Sequence, residues 1–202
     1  GRGVARGMLD LEPIVAAARN RSWAPRDAAG TQQQRSPYVD QAVAHMAQLV
    51  ASLDALRVPP RVRTVILREA VVSLSEHLVD GFAAAKRLTD EGITQMALDV
   101  STIDASLRRL LPLEAVRLEY ATDFVRALRM KPQELVEFVG KNAQYSMRHR
   151  ASLATLGSGA QLKKKELQEL IGALGAASEA LVPGEGVGSN GHGGEDAPPP
   201  PP

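Results

Sequence analysis

Residues 36–56 read SPYVDQAVAHMAQLVASLDAL, and this stretch decides the fold. Ser36 offers an N-cap hydroxyl, and Pro37 suits the first helical position, where a missing N–H costs nothing. Val39, Val43, Met46, Leu49, Val50, Leu53 and Leu56 then recur at the helical period and form one apolar face. Pro59-Pro60 stops the helix. The same reading extends outward. Val62, Val65, Ile66, Val72, Leu78, Val79 and Phe82 mark a second, longer helix whose broad apolar surface suits a central place. Beyond Gly92, the residues Ile93, Met96, Ala97, Val100, Ile103, Leu107 and Leu110 share one face of a third. Pro112 separates it from a fourth with Val116, Tyr120, Phe124 and Leu128. Pro132 opens a fifth, with Glu134 near its positive end, and Leu135, Phe138, Val139, Tyr145 and Leu153 follow. Gly157-Ser158-Gly159 closes it, and Leu162, Leu167, Leu170, Ile171 and Leu174 belong to a last helix.

No segment alternates with the strand period of two. The expected class is therefore all-α, an elongated bundle of about six helices joined by short turns. The bundle would span residues 36–181. Residues 1–35 read as a linker or arm with one short apolar patch at Leu9, Leu11, Ile14 and Val15, broken afterwards by Pro25, Gly30 and Gln32-Gln33-Gln34. Trp23, the only tryptophan, would anchor that arm on the bundle. Residues 182–202, rich in Gly and Pro, cannot build a core and are expected to be a disordered tail. A proline run can dock in an aromatic groove, although compositional drift is the commoner origin.

Composition narrows the function. With 44% hydrophobic residues the chain can bury a core, and with 3% aromatic residues that core is aliphatic. The formal net charge is +1, from 24 basic and 23 acidic residues, which argues against a long polyanion as partner. The absence of cysteine removes disulfides, thiolate metal sites and cysteine nucleophiles. No apolar run approaches the roughly 20 residues that span a bilayer. The start, Gly1-Arg2-Gly3-Val4-Ala5-Arg6, has neither a signal-type apolar region nor an initiator Met, so the chain reads as a piece of a larger protein.

Catalytic constellations are missing from the pattern. His45, His77, His149 and His192 lie on different elements, and Glu76-His77 lacks the second histidine of a zinc-helix motif. Gly157 and Gly159 precede lysines but not the Gly-Lys-Ser/Thr end that a phosphate loop needs. Asp90-Glu91 suits the positive end of a new helix better than acid–base work. The expectation is a non-enzymatic chain with no cofactor and no metal. Two basic clusters remain, Arg148-His149-Arg150 and Lys163-Lys164-Lys165. Brought together, Arg148, Arg150, Lys163, Lys164 and Lys165 would offer a patch to anionic lipid, although each cluster is short for that purpose.

One block is more particular. Residues 81–99, GFAAAKRLTDEGITQMALD, resemble the C-terminal domain of the syndetin family. There a Gly-aromatic-Ala, a Lys, a Glu-Gly and a Met-x-Leu-Asp follow in the same order. The residues carrying the match are Gly81, Phe82, Lys86, Glu91, Gly92, Gln95, Met96 and Asp99, and the later part is similar to helical tethering subunits more widely. Trp23 ahead of Tyr38-Val39-Asp40, the stretch Asn142-Ala143-Gln144-Tyr145-Ser146 and the basic start of the last helix also line up, so the resemblance covers about residues 23–174. The Ala- and Arg-rich composition and the Pro tail depart from it. The resemblance implies the end of a helical rod in a subunit of the endosome-associated recycling complex, EARP, which shares three subunits with the Golgi-associated retrograde complex, GARP. It implies further tethering subunits, SNAREs or small GTPases as partners, with a cytoplasmic place on recycling-endosome or trans-Golgi membranes. The counterpart subunit specific to GARP and a peripheral lipid-binding helical module are the alternatives; a nucleic-acid-binding helical domain ranks below them. On this reading Gly81 permits close helix packing or a partner's approach, and Gln95 and Asp99, one turn apart, are placed to bond a neighbouring helix or a partner, the internal role being favoured.

Overall fold

A computed structural model describes residues 11–23, 35–142, 144–157 and 162–179. Among them it contains eight α-helices and one 3₁₀ turn: α1 (Glu12–Asn20), α2 (Pro37–Ala55), α3 (Pro60–Ala83), α4 (Asp90–Leu110), the 3₁₀ turn Leu113–Ala115, α5 (Glu119–Ala127), α6 (Pro132–Lys141), α7 (Met147–Leu156) and α8 (Lys164–Glu179). No strand occurs among the described residues; the one β-type contact is an isolated parallel bridge between Trp23 and Leu88. The chain is an all-α helical bundle. The expected tail from residue 182, residues 24–34 and Gly159 lie outside the described residues.

Helix α3 is the hub. It packs against α1, α5, α7, the 3₁₀ turn and, less extensively, α2. Its buried positions from Leu67 to Phe82 include Ala70, Val71, Leu74, Leu78 and Val79, spread around more than one face. Two small polar residues share that interior, and Ser75 Oγ accepts the backbone N–H of Ala121 at 3.0 Å. Helix α2 lies along α4, α4 contacts α5, and α8 closes the other end against α6 and α7. A continuous apolar core runs through all eight helices, from Leu11 to Leu174.

Several details differ from the sequence expectation. Residues 12–20, inside the expected linker, form α1, with Ile14, Val15 and Ala18 buried. The expected fifth helix is two. Asn142 leaves helical geometry while its side-chain amide donates to the Phe138 carbonyl at 2.8 Å, and Ser146 restarts the helix by accepting from the His149 N–H at 3.2 Å. Val116 precedes α5 rather than lying in it. The apolar stripes also run past their partners. Leu56 is 69% exposed and Val62 and Val65 are about half exposed, so the α2–α3 corner projects an apolar edge into solvent. Arg57 there has φ 50°, and its N–H and that of Val58 bond back to Asp54 and Leu53, the paired bonds of a Schellman ending.

Candidate interaction site

The residues of the particular block converge on two joints, both made with the N-terminal segment. At the first, Trp23 is 2% exposed and stands edge-on to Phe82, with ring centroids 5.5 Å apart. Its indole N–H donates to the Ala18 carbonyl at 3.0 Å, so the one polar atom of the ring is satisfied inside the fold. Its own carbonyl accepts the Thr89 N–H at 3.2 Å. Thr89 is the N-cap of α4, and its hydroxyl accepts from the Gly92 N–H at 3.2 Å. One segment therefore leans on the end of α3 and the start of α4 together.

Two glycines make that approach feasible. A Cβ on Gly92 would stand 2.0 Å from the Trp23 carbonyl oxygen, and one on Gly81 would stand 2.7 Å from the Ala18 Cβ. Neither needs an unusual φ; both are glycine because another chain segment occupies the space where a side chain would begin. Glu91 sits in the first turn of α4, where its own backbone N–H and the Thr89 hydroxyl hold its carboxyl below the usual range. Met96 is fully buried in the core.

At the second joint, Asp99 is a carboxylate with no solvent exposure. Its Oδ1 accepts the Ser36 N–H at 3.0 Å and the Gln95 side-chain amide at 2.9 Å. Its Oδ2 accepts the Tyr38 hydroxyl at 2.7 Å and the Ser36 hydroxyl in a shorter bond. With four donors and no acceptor facing it, the group is matched as an anion. Burial, and then the facing Asp99 charge, push the Tyr38 hydroxyl well above the usual tyrosine range. Ser36 thus does not cap α2 with its side chain, as the sequence suggested; the hydroxyl turns to α4. Sequence reasoning reached Gln95 and Asp99 but missed Ser36 and Tyr38 as their counterparts.

The basic residues divide differently. His149 is 5% and Arg150 6% exposed, so neither presents its side chain to a surface. His149 Nε2 meets Asp80 Oδ1 at 3.0 Å and its Nδ1 meets the Tyr120 hydroxyl at 2.8 Å, while Arg148 pairs with Asp80 at 3.6 Å. This Asp–His–Tyr chain ties α3, α5 and α7. Lys163, Lys164 and Lys165 are exposed at the start of α8, where the Lys163 N–H is held by the Glu166 carboxylate at 2.9 Å. Of the five residues expected for a lipid patch, Arg150 is turned inward, while Arg148, Lys163, Lys164 and Lys165 are exposed.

A different group of cations does assemble. A groove of about 930 Å³ beside Trp23 is lined by Arg19, Asn20, Arg21, Ser22, Ala84, Lys86 and Arg87. The Arg21 guanidinium carbon stands 5.4 Å from the centre of the Trp23 ring, within cation–π reach. Of these residues only Lys86 was singled out by sequence. Among the described residues, no group of three His, Asp or Glu could hold a metal ion, and no helix is long and apolar enough to cross a membrane.

The model of the family described as "Syndetin, C-terminal" matches residues 2–175. Three curated relatives carry the name syndetin, from Gallus gallus, Mus musculus and Rattus norvegicus. Each is 22% identical over 176 residues, covering 85% of this chain and 18% of the relative. This chain therefore spans less than a fifth of the length of the curated relatives it matches. No solved structure matches it.

Proposed function

The chain belongs to the syndetin C-terminal family, and from that premise we propose that it is the terminal interaction domain of a subunit of a vesicle-tethering complex acting in endosomal recycling. The observation carrying this reading is the family match over residues 2–175, which takes in nearly every described helix. The geometry supports a binding rather than a catalytic role. The family-like residues Gly81, Phe82, Gly92 and Asp99 are spent on internal joints, and the Asp80–His149–Tyr120 chain ties three helices together around a buried His149. A rigid bundle of this kind holds a spacing and presents helix surfaces to partners. Its partners are further tethering subunits, with SNAREs or small GTPases engaged by the assembled complex. Its place is peripheral, on recycling-endosome or trans-Golgi membranes.

Affinity purification of the full-length protein with mass spectrometry tests the assignment. The expected result is recovery of the three subunits shared by EARP and GARP without the GARP-specific one. Recovery of the GARP-specific subunit moves the chain to that complex, and recovery of none of them overturns the tethering role.

A further inference from the structure

The groove beside Trp23 has a chemistry that the family assignment does not supply. Four of its lining residues, Arg19, Arg21, Lys86 and Arg87, are cationic, and none is a carboxylate. In a chain of net charge +1 this is a local concentration, not an overall excess. Arg19, Lys86 and Arg87 are exposed and form no ion pair with any described residue. Arg21 is half-buried, laid against the Trp23 ring, and its Nε has no hydrogen-bond partner among the described residues.

A simpler account is that the cations answer the helix ends, since α1 and α3 both finish at this groove. Its size decides against it as the whole explanation. Each helix C-terminus carries roughly half a negative charge, about one in total, against four positive side chains. Most of the positive charge is left over. Guanidinium forks together with the amide of Asn20 are donors suited to carboxylates, which arginine binds in a two-pronged manner. The concave shape separates the sources of negative charge. Arg21 is withdrawn against the Trp23 ring, where an extended peptide lying in the groove can reach it and a flat bilayer surface cannot. The groove's volume also falls within the roughly 300–1,000 Å³ of ordinary ligand sites.

The geometry points to this groove as a docking site for an acidic peptide segment, rich in Asp and Glu, of a partner protein, with Arg19, Arg21, Lys86 and Arg87 reading its carboxylates. The inference goes beyond the tethering assignment and does not depend on it, because the groove keeps this chemistry whichever complex the chain joins.

The test is fluorescence anisotropy of a dye-labelled octapeptide of alternating Glu and Asp, titrated with the 202-residue chain. The all-Gln/Asn peptide and vesicles rich in phosphatidylserine form the other arms. The expected result is saturable binding of the acidic peptide that weakens as salt rises. Lys86→Glu with Arg87→Glu, both at exposed positions after α3, should weaken it at least tenfold with an unchanged circular dichroism spectrum. Lys163→Glu with Lys165→Glu, at the other basic cluster, should leave it within twofold. Equal affinity for the Gln/Asn peptide overturns the proposal, as does equal loss in the two double variants. Binding to the vesicles but not to the peptide overturns it in favour of a lipid surface.

Discussion

At the scale of single residues, the informative ones are those whose surroundings forbid a substitute. Asp99 accepts four hydrogen bonds with no exposure, and an amide in its place would aim N–H groups at donors. Asp99→Asn should therefore cost about 3–5 kcal/mol, close to the loss of one partner from a buried pair. Tyr38→Phe, which removes one donor and leaves a charge with three, should cost about 1.5–3 kcal/mol. Urea unfolding gives both numbers, and an Asp99→Asn loss below that of Tyr38→Phe would mean that the carboxylate is not the centre of the joint. The glycines follow the same logic in space. A methyl on Gly92 meets a backbone oxygen that cannot rotate aside, so Gly92→Ala should destabilise by about 3 kcal/mol. Gly172 in α8 has nothing near it, and Gly172→Ala should stabilise by up to about 1 kcal/mol through helix propensity alone.

At the scale of elements, the sequence was legible wherever an apolar stripe ran for many turns. Helices α2, α3 and α4 have 19, 24 and 21 residues, and each shows its period plainly. Helix α1 has nine, and its Leu11, Ile14, Val15 and Ala18 do follow helical spacing, but four residues are a weak signal beside Pro25 and Gly30. The α6–α7 break was hidden because Tyr145 sits in the gap yet is buried like a helical core residue. Periodicity also reports which face is apolar, not how far along it a neighbour reaches; hence Leu56, Val62 and Val65 belong to the apolar stripes and yet stand in solvent. The two joints at the candidate site were legible only in part. Gly81, Gly92 and Asp99 stand out as residue types, but their partners Ala18, Trp23, Ser36 and Tyr38 come from segments more than 50 residues away. Turn chemistry yields a prediction at this scale. Arg57 holds the left-handed position that ends α2, a conformation costing a side-chain-bearing residue roughly 1–2 kcal/mol. Arg57→Gly should raise stability by about 1 kcal/mol after the entropy of the added glycine is charged against it, and thermal unfolding will read the change.

For the whole molecule, the three tyrosines of the chain form a natural probe, because each sits where helices are joined. Tyr38 bonds α2 to α4, and Tyr145 donates to the Tyr120 carbonyl at 2.9 Å while Tyr120 meets His149. Burial is the first cause that raises each hydroxyl. Tyr120 is pushed up to about 12, aided by the charges of Glu76 and Asp80; Tyr145 is also raised, with Asp123 and Tyr120 adding to burial; Tyr38 goes further still, with Asp99 adding to burial. The sign follows from linkage. Above the ordinary tyrosine value near 10 the unfolded chain gives up these protons and the folded chain keeps them, so the unfolded state gains as pH rises. Stability from these groups is intact below pH 10 and drains away between about 10 and 12, with Tyr38 extending the loss upward. Two joints at different places in the bundle should therefore fail together. Tyrosinate absorbance should rise in one cooperative step coincident with loss of helical circular dichroism, and three independent titrations with the helices intact would contradict the coupling. Tyr120→Phe should make the fall of stability with pH shallower, because it removes one of the protons that unfolding releases.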